Sequence, residues 1–191
     1  MAAARRGHRI TLVDRAREIG GFLAVLARTS AHAEFGRYLS YAAETLSELG
    51  IEPRLGVEAD AGFVRTLAPD VTVLATGARY GTIPIATDKP GTVFDAAAIL
   101  DDPAPLGRSV AVVGGLDDHL PPLVVADRLA KSGRKVTLLT ENFSIAPALE
   151  PANLHLYLKM LLEQGVAIRP MTAAVALNGD GLAVRNTVTN T

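Results

Sequence analysis

The feature that most constrains this chain is an alternation. Short apolar runs that end in a glycine or an acid are separated by longer stretches whose apolar residues recur at helical spacing. Residues 9–14 (Arg9-Ile10-Thr11-Leu12-Val13-Asp14) read as a buried strand ending in an acid, and residues 33–49 as a helix. In that helix Phe35, Leu39, Ala42, Ala43, Leu46 and Leu49 share a face, and Gly50 is the stop. Residues 51–55 read as a short strand despite Pro53, residues 60–67 as a helix capped by Asp60, and residues 70–75 as a second buried strand leading into Thr76-Gly77. Gly81, Pro84, Pro90 and Gly91 then interrupt the pattern.

The pattern restarts with a short helix over residues 95–100. Residues 109–115 read as a strand entering a glycine turn, 121–132 as a helix, 135–140 as a strand and 153–164 as a helix. The last carries Leu154, Tyr157, Leu158, Leu161 and Leu162 on one stripe. Residues 166–169 read as a strand, and 172–177 with 182–188 as a hairpin around the four-residue loop Asn178-Gly179-Asp180-Gly181. Strands alternating with helices predict a parallel sheet with helices on both faces. The expected organisation is therefore one α/β unit over residues 1–80, a linker over 81–93 and a second α/β unit over 94–191.

Composition narrows the class. The chain has 191 residues, of which 49% are apolar, enough for a core and too apolar for disorder. Nineteen Lys and Arg against 20 Asp and Glu leave a net charge of -1, which argues against general nucleic-acid binding. The absence of cysteine excludes disulfides, thiolate zinc sites, iron–sulfur ligation and a cysteine nucleophile within this chain. His8, His32, His119 and His155 show no metal-ligand spacing, so no metal site is expected. No apolar stretch approaches the roughly 20 residues that span a bilayer. The residues from Met1 to His8 lack a signal-peptide core, so the expected location is cytoplasmic.

Three features carry chemistry. Asp14 ends a strand where a carboxylate, all acceptor and no donor, suits a ribose hydroxyl pair. Gly20-Gly21 permits close backbone approach or positive φ. Leu74-Ala75-Thr76-Gly77 puts small residues at a strand's carboxyl end, where open α/β sheets bind ligands. Taken singly, these are a solvated strand-end acid, a turn and a weak tetrapeptide; it is their order and spacing that point to a nucleotide. Arg15 belongs either to a solvated basic face with Arg5, Arg6, Arg9 and Arg17 or to an adenine or phosphate contact. In the second unit Gly114-Gly115-Leu116-Asp117-Asp118-His119 stands where a phosphate-binding glycine turn belongs and fails the G-x-G-x-x-G pattern. Acids near the helix start, with Pro121 and Pro122 in its first turn, read as a self-capped, vestigial site. The rival is a divergent NAD(P)H site with Glu141 as its ribose acid.

Residues 7–21 (Gly7-His8-Arg9-Ile10-Thr11-Leu12-Val13-Asp14-Arg15-Ala16-Arg17-Glu18-Ile19-Gly20-Gly21), with Glu34-Phe35-Gly36-Arg37-Tyr38-Leu39, Ala68-Pro69-Asp70 running through Ala78-Arg79, and Leu149-Glu150-Pro151-Ala152-Asn153-Leu154-His155, resemble the C-terminal region of the trimethylamine dehydrogenase and 2,4-dienoyl-CoA reductase family. These are NADH:flavin oxidoreductases of the old yellow enzyme group. The resemblance covers nearly the whole chain and implies two Rossmann-like three-layer units with mostly parallel sheets, the first incomplete at its N-terminus. A first strand and its pyrophosphate-binding glycine turn would then lie upstream of Met1, and the chain would be a fragment. It implies ADP or FAD held weakly by Asp14, Arg15, Gly20, Gly21, Ala75, Thr76 and Gly77. It also implies no catalytic residue here, FMN and a 4Fe-4S cluster in an N-terminal barrel domain absent from this chain, and an electron-transfer flavoprotein as a further partner. NAD(P)H binding by the second unit stays open, as does a purely structural role for the whole region. The defective turn favours the amine dehydrogenase and demethylase branch.

Overall fold

The structure is a computed structural model that describes residues 1–78, 85–89, 91–101, 106–114 and 119–191. The fold is mixed α/β with parallel strands and helices packed around them, consistent with Rossmann-like units. The chain divides into two compact units, Met1–Arg79 and Tyr80–Thr191. No helix among the described residues is long and apolar enough to cross a membrane.

The first unit runs α1 (Ala2–Arg5), β1 (Val13–Asp14), α2 (Phe22–Ala27), a 3-10 turn (Ser30–His32), α3 (Phe35–Glu48), β2 (Arg54–Leu55) and α4 (Ala61–Leu67). The helical periodicity is met in part: α3 buries Thr45 and Leu46, half-buries Phe35, Leu39 and Ala42, and packs on α2, whereas Ala43 is exposed and Leu49 follows the helix end. Asp60 caps α4, its Oδ1 accepting from the Phe63 N–H at 2.7 Å. The strands differ from expectation. Of residues 9–14 only Val13 and Asp14 form a strand, parallel to β2 with Val13 opposite Arg54, and both are half-buried. The expected strand over 51–55 shortens to Arg54–Leu55, since Pro53 has no N–H to extend the ladder.

The larger correction concerns residues 70–75. They form no strand, and Val71, Val73 and Leu74 are 77%, 82% and 83% exposed. No backbone hydrogen bond joins residues 70–78 to another described residue. An apolar run becomes a buried strand only when neighbours take up its N–H and C=O groups and cover its faces. The apolar side chains buried in this unit are Ala24, Leu26, Leu46 and Ile51. Val73→Lys should therefore change the stability of this chain by less than about 0.5 kcal/mol, as at an ordinary surface position. A urea titration showing a loss of about 2 kcal/mol or more would mean that the side chain is covered.

The second unit holds β3 (Ala86–Thr87), α5 (Ala96–Asp101), β4 (Ser109–Val113), α6 (Pro121–Lys131), β5 (Lys135–Leu139), α7 (Pro151–Glu163), β6 (Ala167–Arg169), β7 (Thr172–Asn178) and β8 (Gly181–Asn186). A parallel sheet has the order β4-β5-β6, so β5 is paired along both edges. It carries the buried Val136, Leu138 and Leu139. Helix α6 packs on β4, β5, α5 and α7 and is buried at Leu123, Val124, Val125, Ala126 and Leu129, and also at the charged Asp127. The α7 stripe turns inward at Leu161, whereas Leu162 is exposed. In the other sheet, of order β3-β7-β8, β7 lies parallel to β3 and antiparallel to β8. Strand β3 falls inside the expected linker, where Ala86 and Thr87 pair with Ala176 and Leu177. Residues 81–84 and 90 of that linker lie outside the described residues. The hairpin is tighter than expected: Asn178 pairs with Gly181, leaving a two-residue loop in which the Asn178 side chain accepts from the Asp180 N–H at 3.1 Å.

Candidate functional site

Asp14 is the last residue of β1. Its backbone carbonyl accepts from the Val57 N–H at 3.1 Å, and the Ala16 carbonyl accepts from the Gly56 N–H at 2.8 Å, so the turn after β2 fixes the chain just beyond the strand. One carboxylate oxygen, Oδ1, accepts from the Ala16 N–H at 2.9 Å. Among the described residues Oδ2 accepts from none, which leaves it as an acceptor of the kind a ribose hydroxyl uses. Gly56 and Val57 carry no motif of their own in the sequence; the signal available is a glycine directly after the short strand that ends at Leu55. Arg15 is exposed, and Arg28 of the same unit forms an ion pair with Glu18.

The two adjacent glycines do different work. Gly20 has φ +112°, and a Cβ placed on it would lie 2.6 Å from Leu39 Cδ2 and 3.2 Å from Ala24 Cβ. It is needed where α3 comes close to the turn before α2. Gly21 has φ +53° and precedes α2, and a Cβ there would meet nothing within 4 Å. Open backbone at Gly21 can receive another group; at Gly20 the space is already filled by the protein. Gly20→Ala and Gly21→Ala should each destabilise the chain by about 1–3 kcal/mol, Gly20 from backbone strain plus contact with Ala24, and Gly21 (φ +53°, ψ -131°) from backbone strain alone. Thermal unfolding of both variants checks this, and a loss below about 0.5 kcal/mol at either would mean that its backbone is not held at positive φ.

Ala75, Thr76 and Gly77 are exposed and do not end a strand. Asp14 and the glycine pair are tied into the fold by the turn at Gly56 and by Leu39, whereas no hydrogen bond joins residues 75–77 to either. The chain contains no G-x-G-x-x-G, so the backbone donors such a turn aims at a diphosphate are not supplied by that pattern. The residues present fit the ribose contact of an adenine nucleotide and do not fit its diphosphate. A hollow of 280 Å³ in this unit is lined by His8, Arg9, Ile10, Leu49, Gly50 and Ile51 and contains none of the candidate residues.

In the second unit Gly114 is buried, and its N–H donates to the Leu139 carbonyl at 2.8 Å. Gly115, Leu116, Asp117 and Asp118 lie outside the described residues, and so does the self-capping proposed for them. Pro121 and Pro122 open α6 as expected, and His119 is exposed. Glu141, the rival ribose acid, follows the end of β5 and is exposed. The carboxyl end of β5 is bound to the start of the hairpin. The Thr172 N–H donates to the Thr140 carbonyl and the Met171 N–H to the Asn142 carbonyl, both at 2.8 Å, and Thr187 Oγ1 donates to the Glu141 carbonyl at 3.3 Å. Met171 takes φ +51° to make that turn. Beside it Arg169, Met171, Thr172, Val184 and Asn186 line an open groove of 460 Å³. Among the described residues no group of three or more His, Asp or Glu is placed to hold a metal ion.

No family model matches the chain. It is 31% identical over 173 residues to an NADH oxidase of Thermoanaerobacter brockii, covering 88% of this chain and 26% of that protein. It is 27% identical over 186 residues to an N,N-dimethylglycine/sarcosine dehydrogenase of Chromohalobacter salexigens, covering 92% of this chain and 26% of that protein. The fold matches a solved 2-naphthoyl-CoA reductase with a TM-score of 0.87 at 24% identity, over 99% of this chain and 28% of that one. The sequence relatives are oxidoreductases, and the chain spans about a quarter of the length of the curated relatives it matches.

Proposed function

We propose that this chain is an accessory nucleotide-binding region of a larger flavin-dependent oxidoreductase of the amine dehydrogenase and demethylase kind. The observation that carries the reading is the alignment of 88% of the chain with only 26% of a longer oxidoreductase. Asp14 supports it, since its Oδ2 has no donor among the described residues and is open to a ribose hydroxyl, and the backbone at Gly21 is open on the same unit. Arg15 is assigned a contact to the adenine or a phosphate, and residues 75–77 a contact to the same nucleotide. FMN, a 4Fe-4S cluster and the catalytic residues belong to a barrel domain of the same enzyme, and an electron-transfer flavoprotein is the carrier it reduces. The second unit is read as a supporting module because its glycine turn fails the G-x-G-x-x-G pattern, with NAD(P)H binding there left open.

Calorimetry tests this directly. The 191-residue chain should bind ADP with a Kd no tighter than about 1 mM, since the diphosphate lacks its main donors. In the complete enzyme Asp14→Ala should lower adenine-nucleotide retention about ten- to hundredfold, the worth of one charge-assisted hydrogen bond. An intact enzyme that carries no adenine nucleotide would replace this reading with a purely structural one. A rise in the melting temperature of this chain with NADPH would place a nicotinamide site in the second unit.

A further inference from the structure

We draw no further inference here: the strongest candidate, the exposed apolar run over residues 71–74 in the first unit, is an unpartnered apolar surface, and nothing in the structure shows what covers it.

Discussion

Leu138→Ala is expected to lower the unfolding free energy of the second unit by about 2–5 kcal/mol. Leu138 is buried in β5, one residue from its carboxyl end, opposite Val112 of β4 on one edge and Ile168 of β6 on the other. The enclosed helix α6 packs on the same strand. Truncation removes the transfer free energy of the lost methyl and methylene groups and leaves a cavity that strands fixed on both edges close only in part. A urea titration followed by far-ultraviolet circular dichroism measures the shift. A loss below about 1 kcal/mol would mean that the site collapses freely and that β5 is not the centre of this core.

The second large effect concerns a charge. Asp127 on α6 is 1% exposed; its Oδ2 accepts from Lys131 Nζ at 2.8 Å and its Oδ1 from Gln164 Nε2 at 2.8 Å. The pair joins successive turns of α6, and the glutamine bond ties α6 to the residue that ends α7. Lys131→Met removes the cation and leaves a buried carboxylate with an amide partner. The expected cost is about 2–4 kcal/mol, below the value for a fully buried pair because the Lys131 side chain is 42% exposed to water. Adding Asp127→Asn should recover most of that loss, since an amide oxygen can still accept from Gln164 and no charge stays buried. If the double variant is no more stable than Lys131→Met, the cost arises from lost packing of the lysine stem and not from the uncompensated carboxylate.

Much of the second unit was legible in the sequence, because its elements carry their own signals. The helical spacing of α6 and α7 and the β-branched runs of β4 and β5 predict elements that agree with the structure to within one or two residues. Strand β3 was not legible: Ala86 and Thr87 have no pattern of their own and become a strand only through pairing with β7. The opposite error occurred at residues 70–75. Val71-Thr72-Val73-Leu74-Ala75 has the composition of a strand covered on both faces, but composition reports what a segment suits and not whether neighbours reach it. The candidate site divides in the same way. Asp14 was readable because a strand-end acid needs only its own strand, and the separate roles of Gly20 and Gly21 were not, because Leu39 sits 18 or more residues away in the chain. Residues 75–77 end a strand only where the run before them is paired in a sheet, and among the described residues it is not.

The unequal burial of the two units has a consequence for solution behaviour. With Ala24, Leu26, Leu46 and Ile51 as its buried apolar side chains, Met1–Arg79 has little enclosed surface to oppose chain entropy, whereas β5 and α6 alone bury more than that. Amides of α3 and β1 should accordingly exchange with deuterated solvent through frequent partial openings, while those of β5 wait for rarer, deeper ones. One melting midpoint quoted for all 191 residues would then average a fragile half and a durable half and describe neither.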